Sequence, residues 1–351
     1  MDYRDKVAIA GIGYTELIRR NPRTLASLTV EATDAALADA GLSRADVDGL
    51  ATTPTMPVYG GAKGNQDGID VVTPPAYLAG ALKIRDRITW LGNTTPMVTH
   101  AAIDAVNALV AGACTHVVLY RALHMPQGRY SNFTAAHATG KDQFFAPYGF
   151  SIPAAWAGTV ARRYLETSGG AKRESFANFV VDNRERAHLN PNAYFRGKTL
   201  TRDEYLTSRM IADPITMLDC DLPVDGAVAI VLTRTDRARD LRNPPALISG
   251  GYATSNHVGA TGVPMTLEDI RAGAGATGER LWAQRESAGP TSTSRSSTTV
   301  SRSSPTPGSK VSASADPARQ RRSSTTATPA HRLPAAQRPG AVASPRAAST
   351  A

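Results

Sequence analysis

Near Gln284 the sequence changes from an ordinary globular composition to a tail that lacks the residues of a hydrophobic core. Residues 285–351 contain 24 Ser or Thr in 67 positions and no aromatic residue, Ile or Met. Such a segment cannot bury enough apolar surface to offset the entropy that is lost on ordering. We therefore expect residues 285–351 to be a disordered, low-complexity tail and the fold to be confined to residues 1–284.

The same tail carries most of the charge that makes the chain basic. It holds ten Lys or Arg and two acidic residues, in a chain whose net charge is +9. These basic residues are spread among Ser, Thr, Ala and Pro, without the dense run, aromatic stacking platform or recognition helix that nucleic-acid binding uses. The basic composition therefore does not predict a nucleic-acid partner.

A second interpretation of the tail uses the genetic code. When the reading frame is shifted by one base, residues 291–302 permit Asp-Val-Asp-Val-Ala-Gln-Leu-Tyr-Asp-Gly-Phe-Ser, and residues 303–314 permit an amphipathic run. A buried strand followed by such a run is the continuation that an interrupted α/β domain would need. We therefore expect a frameshift just after Gln284, and a genuine disordered tail is the alternative.

The body shows no targeting or membrane-spanning pattern. Acidic residues stand at Asp2 and Asp5, and no run of about 18 apolar residues occurs. Cys114 and Cys220 lie far apart without the spacing of a metal site, so both are expected to fill the core. These features indicate a cytoplasmic protein with no membrane or metal partner.

Strand and helix patterns alternate along the body. Strands are predicted at Val7–Gly13, Val47–Ala51, Ile88–Leu91, Val117–Tyr120 and Asp225–Leu232, and helices at Leu28–Ala40, Pro75–Leu82 and Met97–Val110. Such alternation predicts an α/β fold with a parallel or mixed sheet that is covered by helices on both faces.

The pattern begins again after Pro245. Residues 246–252 repeat the apolar-then-glycine character of residues 7–14, and a helix is predicted over Thr266–Ala283. We expect a first half over residues 1–244 with an inserted loop region, and the start of a second half over residues 245–284 that is truncated after its first strand and helix. The inserted region, Met125–Ile152, has the length of a functional loop.

Three stretches of the body carry a family resemblance. They are the opening VAIAGIGYTEL, the segment AGACTHVVLYRA, and the long run from His188 to Leu232. They resemble the thiolase superfamily, in its branch of sterol-carrier-protein thiolases, lipid-transfer proteins and steroid side-chain aldolases. The resemblance covers residues 5–284. It implies a layered αβαβα fold, a homodimer, and acyl-CoA thioesters as substrates with no permanently bound cofactor.

The resemblance also implies a nucleophilic cysteine at the start of the buried helix that precedes residues 111–112. A helix N-terminus lowers the pKa of a thiol there and favours the thiolate. In this sequence the position falls at Thr95, and residues 92–97 hold no cysteine. A threonine hydroxyl has no comparable acidity, so we expect no covalent acyl-enzyme, and Thr95 is expected to cap the helix ahead of Pro96.

The missing cysteine favours one of two chemistries that the family resemblance implies. Claisen condensation needs a cysteine to hold the acyl group between steps. Retro-aldol cleavage of a β-hydroxyacyl-CoA needs only a base for the hydroxyl proton and donors for the thioester enolate. We therefore predict an aldolase of lipid or steroid catabolism.

The resemblance implies a tyrosine of a Tyr-Asp-Gly-Phe motif as a proton-transfer group in such aldolases. In this chain that motif exists only in the shifted frame, so catalysis by the chain as written is expected to be impaired. The alternatives are an acetyl-CoA acetyltransferase-type acyl transfer with another nucleophile and a non-catalytic lipid-transfer or scaffold subunit. The branch also implies a small partner protein with an OB-fold and a zinc ribbon.

Four further residues are candidates for the site. His100, one turn into the helix, is a candidate catalytic group or a core histidine. Arg121, at a strand end, is a candidate for binding a CoA phosphate, with a carboxylate as the alternative partner. His124 and His188 are loop residues that could contact CoA or substrate, and plain solvated histidines are the alternative.

Two glycine-containing motifs are expected to be structural rather than functional. Asp225-Gly226 is expected to form a tight turn before a strand rather than to contact substrate. Gly11 and Gly13 do not complete a dinucleotide-binding fingerprint, since the next helix begins too late, so NAD binding is not expected.

Overall fold

A six-stranded mixed sheet lies at the centre of the protein. The computed structural model describes residues 4–53, 73–93, 98–124, 143–144, 146–150, 152–250 and 266–286. The strands are β1 Val7–Tyr14, β2 Gly49–Ala51, β3 Trp90–Gly92, β4 His116–Leu123, β5 Met210–Ala212, β6 Ile215–Thr216, β7 Gly226–Arg234 and β8 Ala246–Leu247. The helices are α1 Leu25–Ala40, α2 Pro75–Ala81, α3 Val98–Val110, α4 Pro153–Thr167, α5 Arg173–Ala187, α6 Arg202–Thr207, α7 Thr235–Ala238 and α8 Leu267–Glu286.

The order of strands in the sheet is β3-β2-β4-β7-β1-β8, and β5 and β6 form a separate hairpin. β2 is parallel to both β3 and β4, whereas β7 is antiparallel to both of its neighbours, β4 and β1. β1, β2, β3 and β4 therefore all end at one edge of the sheet, where β7 begins. We call this edge the carboxyl edge. In open α/β sheets, ligands bind outside the carboxyl ends of the strands.

Helices cover the sheet on both faces, which we call the α1 face and the α3 face. On the α1 face, α1 and α2 pack with Val118, Tyr120 and Ala122 of β4 in one buried cluster. On the α3 face, α3 packs with Val117 and Leu119 in a second cluster. Because side chains alternate along a strand, Arg121 belongs to the α3 face.

Helix α1 lies unusually close to β1 because two glycines face it. A Cβ added at Gly13 would lie 2.3 Å from the Ala32 carbonyl oxygen, and one added at Gly11 would lie 2.4 Å from the Ala36 carbonyl oxygen. The glycines therefore serve helix–strand packing. Since they point to the α1 face, Ile12 and Tyr14, which alternate with them, point to the α3 face.

The structure confirms the mixed α/β sheet and most of the predicted elements. Asp225-Gly226 does not form a turn: Asp225 is fully buried in an antiparallel bridge with Ile18, and β7 starts at Gly226. The prediction that Cys220 fills the core is also wrong, because this residue is exposed, whereas Cys114 is buried as predicted. Cys220 stands between Asp219 and Asp221, two charged residues that are costly to bury.

Several predictions concern residues outside the described ranges. Most of the inserted region 125–152 and the tail from residue 287 lie outside them, so the tail and frameshift interpretations stay predictions. The boundary at residue 244 also stays a prediction, and β8, which follows it, pairs antiparallel with β1 in the central sheet. No helix in the described part of the chain is both long enough and apolar enough to cross a bilayer.

Helices α4 and α5 were not predicted, and each buries little of its surface. Gly158 is the buried residue of α4 and Ala177 that of α5. Ring contacts connect these helices to each other and to the following loop: Tyr164 stacks on Phe176 with 6.0 Å between ring centroids, and the Arg184 guanidinium lies 3.8 Å from the centroid of Phe195. Helix α5 is mostly polar and has no apolar stripe, so hydrophobic periodicity does not reveal it. Helix α4 carries Trp156, Val160 and Tyr164 at helical spacing, a signal that could have predicted it.

Candidate functional site at the carboxyl edge

The carboxyl edge gathers three of the five predicted site residues. Arg121 and His124 lie at the end of β4, and His100 lies in the first turn of α3, which follows the end of β3. Thr95, the position of the expected nucleophile, lies between β3 and α3 and outside the described residues. Its role as a cap or as a replacement for cysteine therefore stays a prediction.

Arg121 is half-buried on the α3 face and connects two strand ends. Its Nη1 donates a hydrogen bond to Oγ1 of Thr53, which lies just beyond the end of β2. The neighbouring hydroxyl of Thr52 donates to the carbonyl oxygen of Tyr120 at 2.8 Å. The guanidinium is thus oriented from the β2 side, and its partner in this contact is a hydroxyl rather than a carboxylate.

Three side chains form a row across adjacent strands at this edge. Arg121 of β4 lies opposite Val228 of β7, and Val228 lies opposite Tyr14 of β1. Residues that are directly opposite share a face of the sheet, and neighbouring strands are about 4.8 Å apart, so Arg121 and Tyr14 flank Val228 with about 10 Å between their Cα atoms. Tyr14 and Val228 are 46% and 44% exposed. We call Arg121, Val228 and Tyr14 the edge row.

Tyr14 is held from its outer side by the loop after α5. The Tyr14 hydroxyl oxygen accepts a hydrogen bond of 2.8 Å from Nδ2 of Asn192. Sequence reasoning missed both residues as site residues. The signal that could have found Tyr14 is its alternation with Gly11 and Gly13, which places an exposed phenol on the face opposite to α1.

His124 is buried, with 4% of its surface exposed, so the interpretation of a solvated histidine is wrong. Its Nε2 lies 2.9 Å from the carbonyl oxygen of Asn21 and donates to it, since a carbonyl can only accept. Nδ1 has no hydrogen-bond partner among the described residues. The backbone N–H of Asn21 in turn donates a hydrogen bond of 2.8 Å to the Asp225 carboxylate. His124 thereby ties the end of β4 to the segment before α1 and, through it, to the start of β7.

His188 and His100 take no part in the hydrogen bonds that connect His124, Asn21 and Asp225. His188 follows the last residue of α5, and its Nδ1 accepts a hydrogen bond of 3.1 Å from the Gly197 amide, which closes its own loop. The side chain of His100 is half-buried and makes no hydrogen bond to another residue in the described part of the chain. Contact of either histidine with CoA or substrate stays a prediction.

The two cysteines of the chain are not activated thiols. Cys114 lies just before β4, at the opposite edge of the sheet, which places it roughly 25 Å from the carboxyl edge along a strand of eight residues. Burial, and after it the Asp48 carboxylate, raises the pKa of the Cys114 thiol to about 12. Partial burial and the carboxylates of Asp219 and Asp221 also raise the pKa of Cys220. A nucleophilic cysteine needs the opposite shift.

No family model matches the chain. It is similar to the 17-hydroxy-3-oxo-4-pregnene-20-carboxyl-CoA lyase of Mycobacterium tuberculosis, with 37% identity over 290 residues that cover 80% of this chain and 71% of the relative. It is also similar to a steroid side-chain-cleaving aldolase of Thermomonospora curvata, with 36% identity over 257 residues that cover 71% of this chain and 62% of the relative.

Among solved structures, the chain is similar to one described as the Ltp2-ChsH2(DUF35) aldolase. The TM-score is 0.66 at 29% sequence identity, and the match covers 82% of this chain and 71% of that one. A monomeric SCP2-thiolase-like protein type 1 from Mycobacterium smegmatis matches with a TM-score of 0.52 at 18% identity, over 70% of this chain and 50% of that one. This second likeness concerns the fold alone.

Proposed function

Because the chain belongs to the SCP2-thiolase and aldolase branch of the thiolase superfamily, we propose that it cleaves a carbon–carbon bond of a β-hydroxyacyl-CoA by a retro-aldol reaction. The names of two relatives, a steroid side-chain-cleaving aldolase and a carboxyl-CoA lyase that acts on a 17-hydroxy steroid, support this reaction class. They also support a substrate with a bulky, steroid-like acyl group.

The reaction needs no covalent intermediate. A base takes the proton of the β-hydroxyl, the bond between the α and β carbons breaks, and the β carbon becomes a carbonyl. The electron pair of the broken bond passes to the thioester as an enolate, whose oxygen carries the developing negative charge. The α carbon then takes up a proton, so that the products are a ketone and a shorter acyl-CoA. The protein must supply a base and hydrogen-bond donors for the enolate oxygen.

The observation that carries this proposal is that neither of the two thiols has a lowered pKa. Thiolase chemistry needs a thiolate beside the substrate, whereas Cys114 is buried at the far edge with a pKa of about 12 and Cys220 also has a raised pKa. Acyl transfer through cysteine therefore lacks its nucleophile in this chain, and the first alternative, acyl transfer, would need a nucleophile other than cysteine. Retro-aldol cleavage does not need a nucleophilic thiol.

Product analysis tests the proposal. The full chain is incubated with 17-hydroxy-3-oxo-4-pregnene-20-carboxyl-CoA, and the ketone and short acyl-CoA are followed by chromatography and mass spectrometry. We expect both products in equal amounts, formed at a low rate because the chain as written lacks the tyrosine of the Tyr-Asp-Gly-Phe motif, and no acyl adduct in the intact mass of the protein. An adduct one acyl group heavier would establish the transferase alternative instead. Binding of the thioester without either outcome would establish a non-catalytic lipid-transfer or scaffold subunit.

We further propose two protein partners. The description of the similar aldolase structure names a DUF35 protein, which supports an OB-fold, zinc-ribbon partner for this chain. A second copy of the chain is supported by the free edge of β3, which pairs with β2 alone among the described strands and exposes 43% of Leu91. An unpaired, partly apolar strand edge is prone to pair with another chain.

Light scattering after size-exclusion chromatography tests both partners. We expect the chain to elute at the mass of a dimer, and at a larger mass after co-expression with a DUF35-type protein. Leu91→Lys, which places a charge at the exposed edge, is expected to give a monomer, and Leu247→Lys at the opposite edge is its matched control. A monomeric mass of the unsubstituted chain would overturn the dimer, and separate elution of the two proteins would overturn the complex.

We further propose that the protein is cytoplasmic. Its two cysteines are both free thiols in the structure, and free thiols are typical of a reducing compartment.

A further inference from the structure

We propose that the edge row of Arg121, Val228 and Tyr14 is the subsite for the thioester end of the substrate, in which the Tyr14 hydroxyl donates a hydrogen bond to the thioester oxygen. This assignment rests on the proposed retro-aldol reaction for its catalytic part. Its binding part can be tested without turnover.

The position of the edge row is the first support. It lies at the carboxyl edge, where β1, β4 and the start of β7 meet, and its side chains point to the α3 face. Helix α3 begins at the same edge, since it follows the end of β3. A ligand on this row would therefore lie at the same edge of the sheet as the N-terminal turn of α3, outside the strand ends where ligands of open α/β sheets bind.

The hydrogen-bonding state of Tyr14 is the second support. Its oxygen accepts the bond from Asn192, and no described residue accepts the hydroxyl hydrogen. A hydroxyl has one hydrogen to donate, so the phenol is oriented by Asn192 and keeps its donor for a ligand. This is the group that the retro-aldol step requires, because charge develops on the thioester oxygen as the carbon–carbon bond breaks.

The composition of the surface is the third support. Between the phenol and the guanidinium the surface is apolar, since Val228 is 44% exposed and the adjacent Ile12 on the same face is 53% exposed. Apolar surface with a few oriented polar groups is typical of small-molecule sites. The Arg121 guanidinium, oriented by Thr53, supplies positive charge at one end for an oxygen-rich group of the CoA thioester.

Tyr14→Phe tests the catalytic part, because it removes the hydroxyl and keeps the ring. We expect the kcat for cleavage of 17-hydroxy-3-oxo-4-pregnene-20-carboxyl-CoA to fall about 100-fold, as it does when one donor to a developing oxyanion is removed. The matched control is Tyr77→Phe, which alters a tyrosine on α2 that is 43% exposed. We expect this control to keep the kcat and both variants to keep the melting temperature of the unsubstituted chain.

Binding of 3-oxo-4-pregnene-20-carboxyl-CoA, which lacks the β-hydroxyl and cannot be cleaved, tests the binding part. We expect Arg121→Gln to raise its Kd about 10-fold, because a charge-assisted hydrogen bond is lost, and Tyr14→Phe to raise it less than about 5-fold. Arg121→Lys keeps the positive charge and should give an intermediate Kd. It also shows whether an effect of Arg121→Gln comes from misfolding.

The two readouts separate failure of this subsite from failure of the proposed reaction. Cleavage that is unchanged in Tyr14→Phe, together with a Kd that is unchanged in Arg121→Gln, would overturn the subsite and leave the reaction intact. Absence of cleavage in the unsubstituted chain, together with a Kd that depends on Arg121 and Tyr14 as expected, would overturn the reaction and support the subsite as a binding site.

Discussion

Replacement of Gly13 by Ala is expected to lower the free energy of unfolding by about 3 kcal/mol, because the new methyl group has no space. It would lie 2.3 Å from both the Ala32 carbonyl oxygen and the Ala36 amide nitrogen, which are backbone atoms of α1 and cannot rotate away. Helix α1 would have to move off β1, and the buried cluster of the α1 face would loosen with it. For a protein of this size we expect the melting temperature to fall by about 6–10 °C.

Gly275→Ala is the matched control for this change. Gly275 lies in α8, and an added Cβ there meets no atom within 4 Å. Since Ala favours helix over Gly by up to about 1 kcal/mol, we expect no loss of stability or a small gain. Equal melting temperatures for Gly13→Ala and the unsubstituted protein would show that α1 does not pack against β1 as described.

Replacement of Asp48 by Ala is expected to have the second large effect, also about 3 kcal/mol, because several donors lose one acceptor. The Asp48 carboxylate, just before β2, accepts from the Thr115 amide at 2.8 Å, from the Thr115 hydroxyl at 2.7 Å and from the His116 amide at 2.8 Å. These bonds hold the start of β4 in register beside β2. Without the carboxylate, two backbone N–H groups at a partly buried site have no acceptor.

Asp39→Ala is the comparison for Asp48→Ala in a thermal or urea unfolding experiment. The Asp39 carboxylate accepts one backbone hydrogen bond, from Ile12 at 2.9 Å, at an exposed site. We expect its loss to cost about 1 kcal/mol, near the net value of a single hydrogen bond. If the two substitutions lower the melting temperature equally, the Asp48 bonds do not hold the start of β4 as described.

Most of the sheet and its covering helices could be predicted because local patterns encode them. Helix α1 has apolar spacing, an N-cap at Thr24 and a left-handed C-cap at Gly41, and the glycine-terminated run before it is β1. Asp225 was misassigned because Asp-Gly is a strong local turn signal. Here a long-range contact overrides it, since the Asp225 carboxylate accepts the amide of Asn21, 204 residues away.

The candidate site was less predictable because it depends on strand register. Arg121 was a candidate from the sequence because it stands near a strand end. Tyr14 lies 107 positions earlier, and it shares the edge row with Arg121 because both residues are opposite Val228 of β7. Burial of His124 depends on the fold of the Asn21 segment, which local sequence does not specify. His124 was therefore predicted to be a solvated loop residue, whereas in the structure its buried side chain donates a hydrogen bond to the Asn21 segment.

The central claim is that the protein cleaves a carbon–carbon bond of a CoA thioester without forming an acyl-cysteine. A variant that has no cysteine tests this claim most directly. In the Cys114→Ala, Cys220→Ala double variant, the rate of ketone release from 17-hydroxy-3-oxo-4-pregnene-20-carboxyl-CoA is compared with that of the unsubstituted chain at equal folded fraction. We expect the two rates to agree within about 2-fold, since neither thiol is activated. A fall of about 100-fold or more, the scale on which loss of a catalytic group is felt, would contradict the claim.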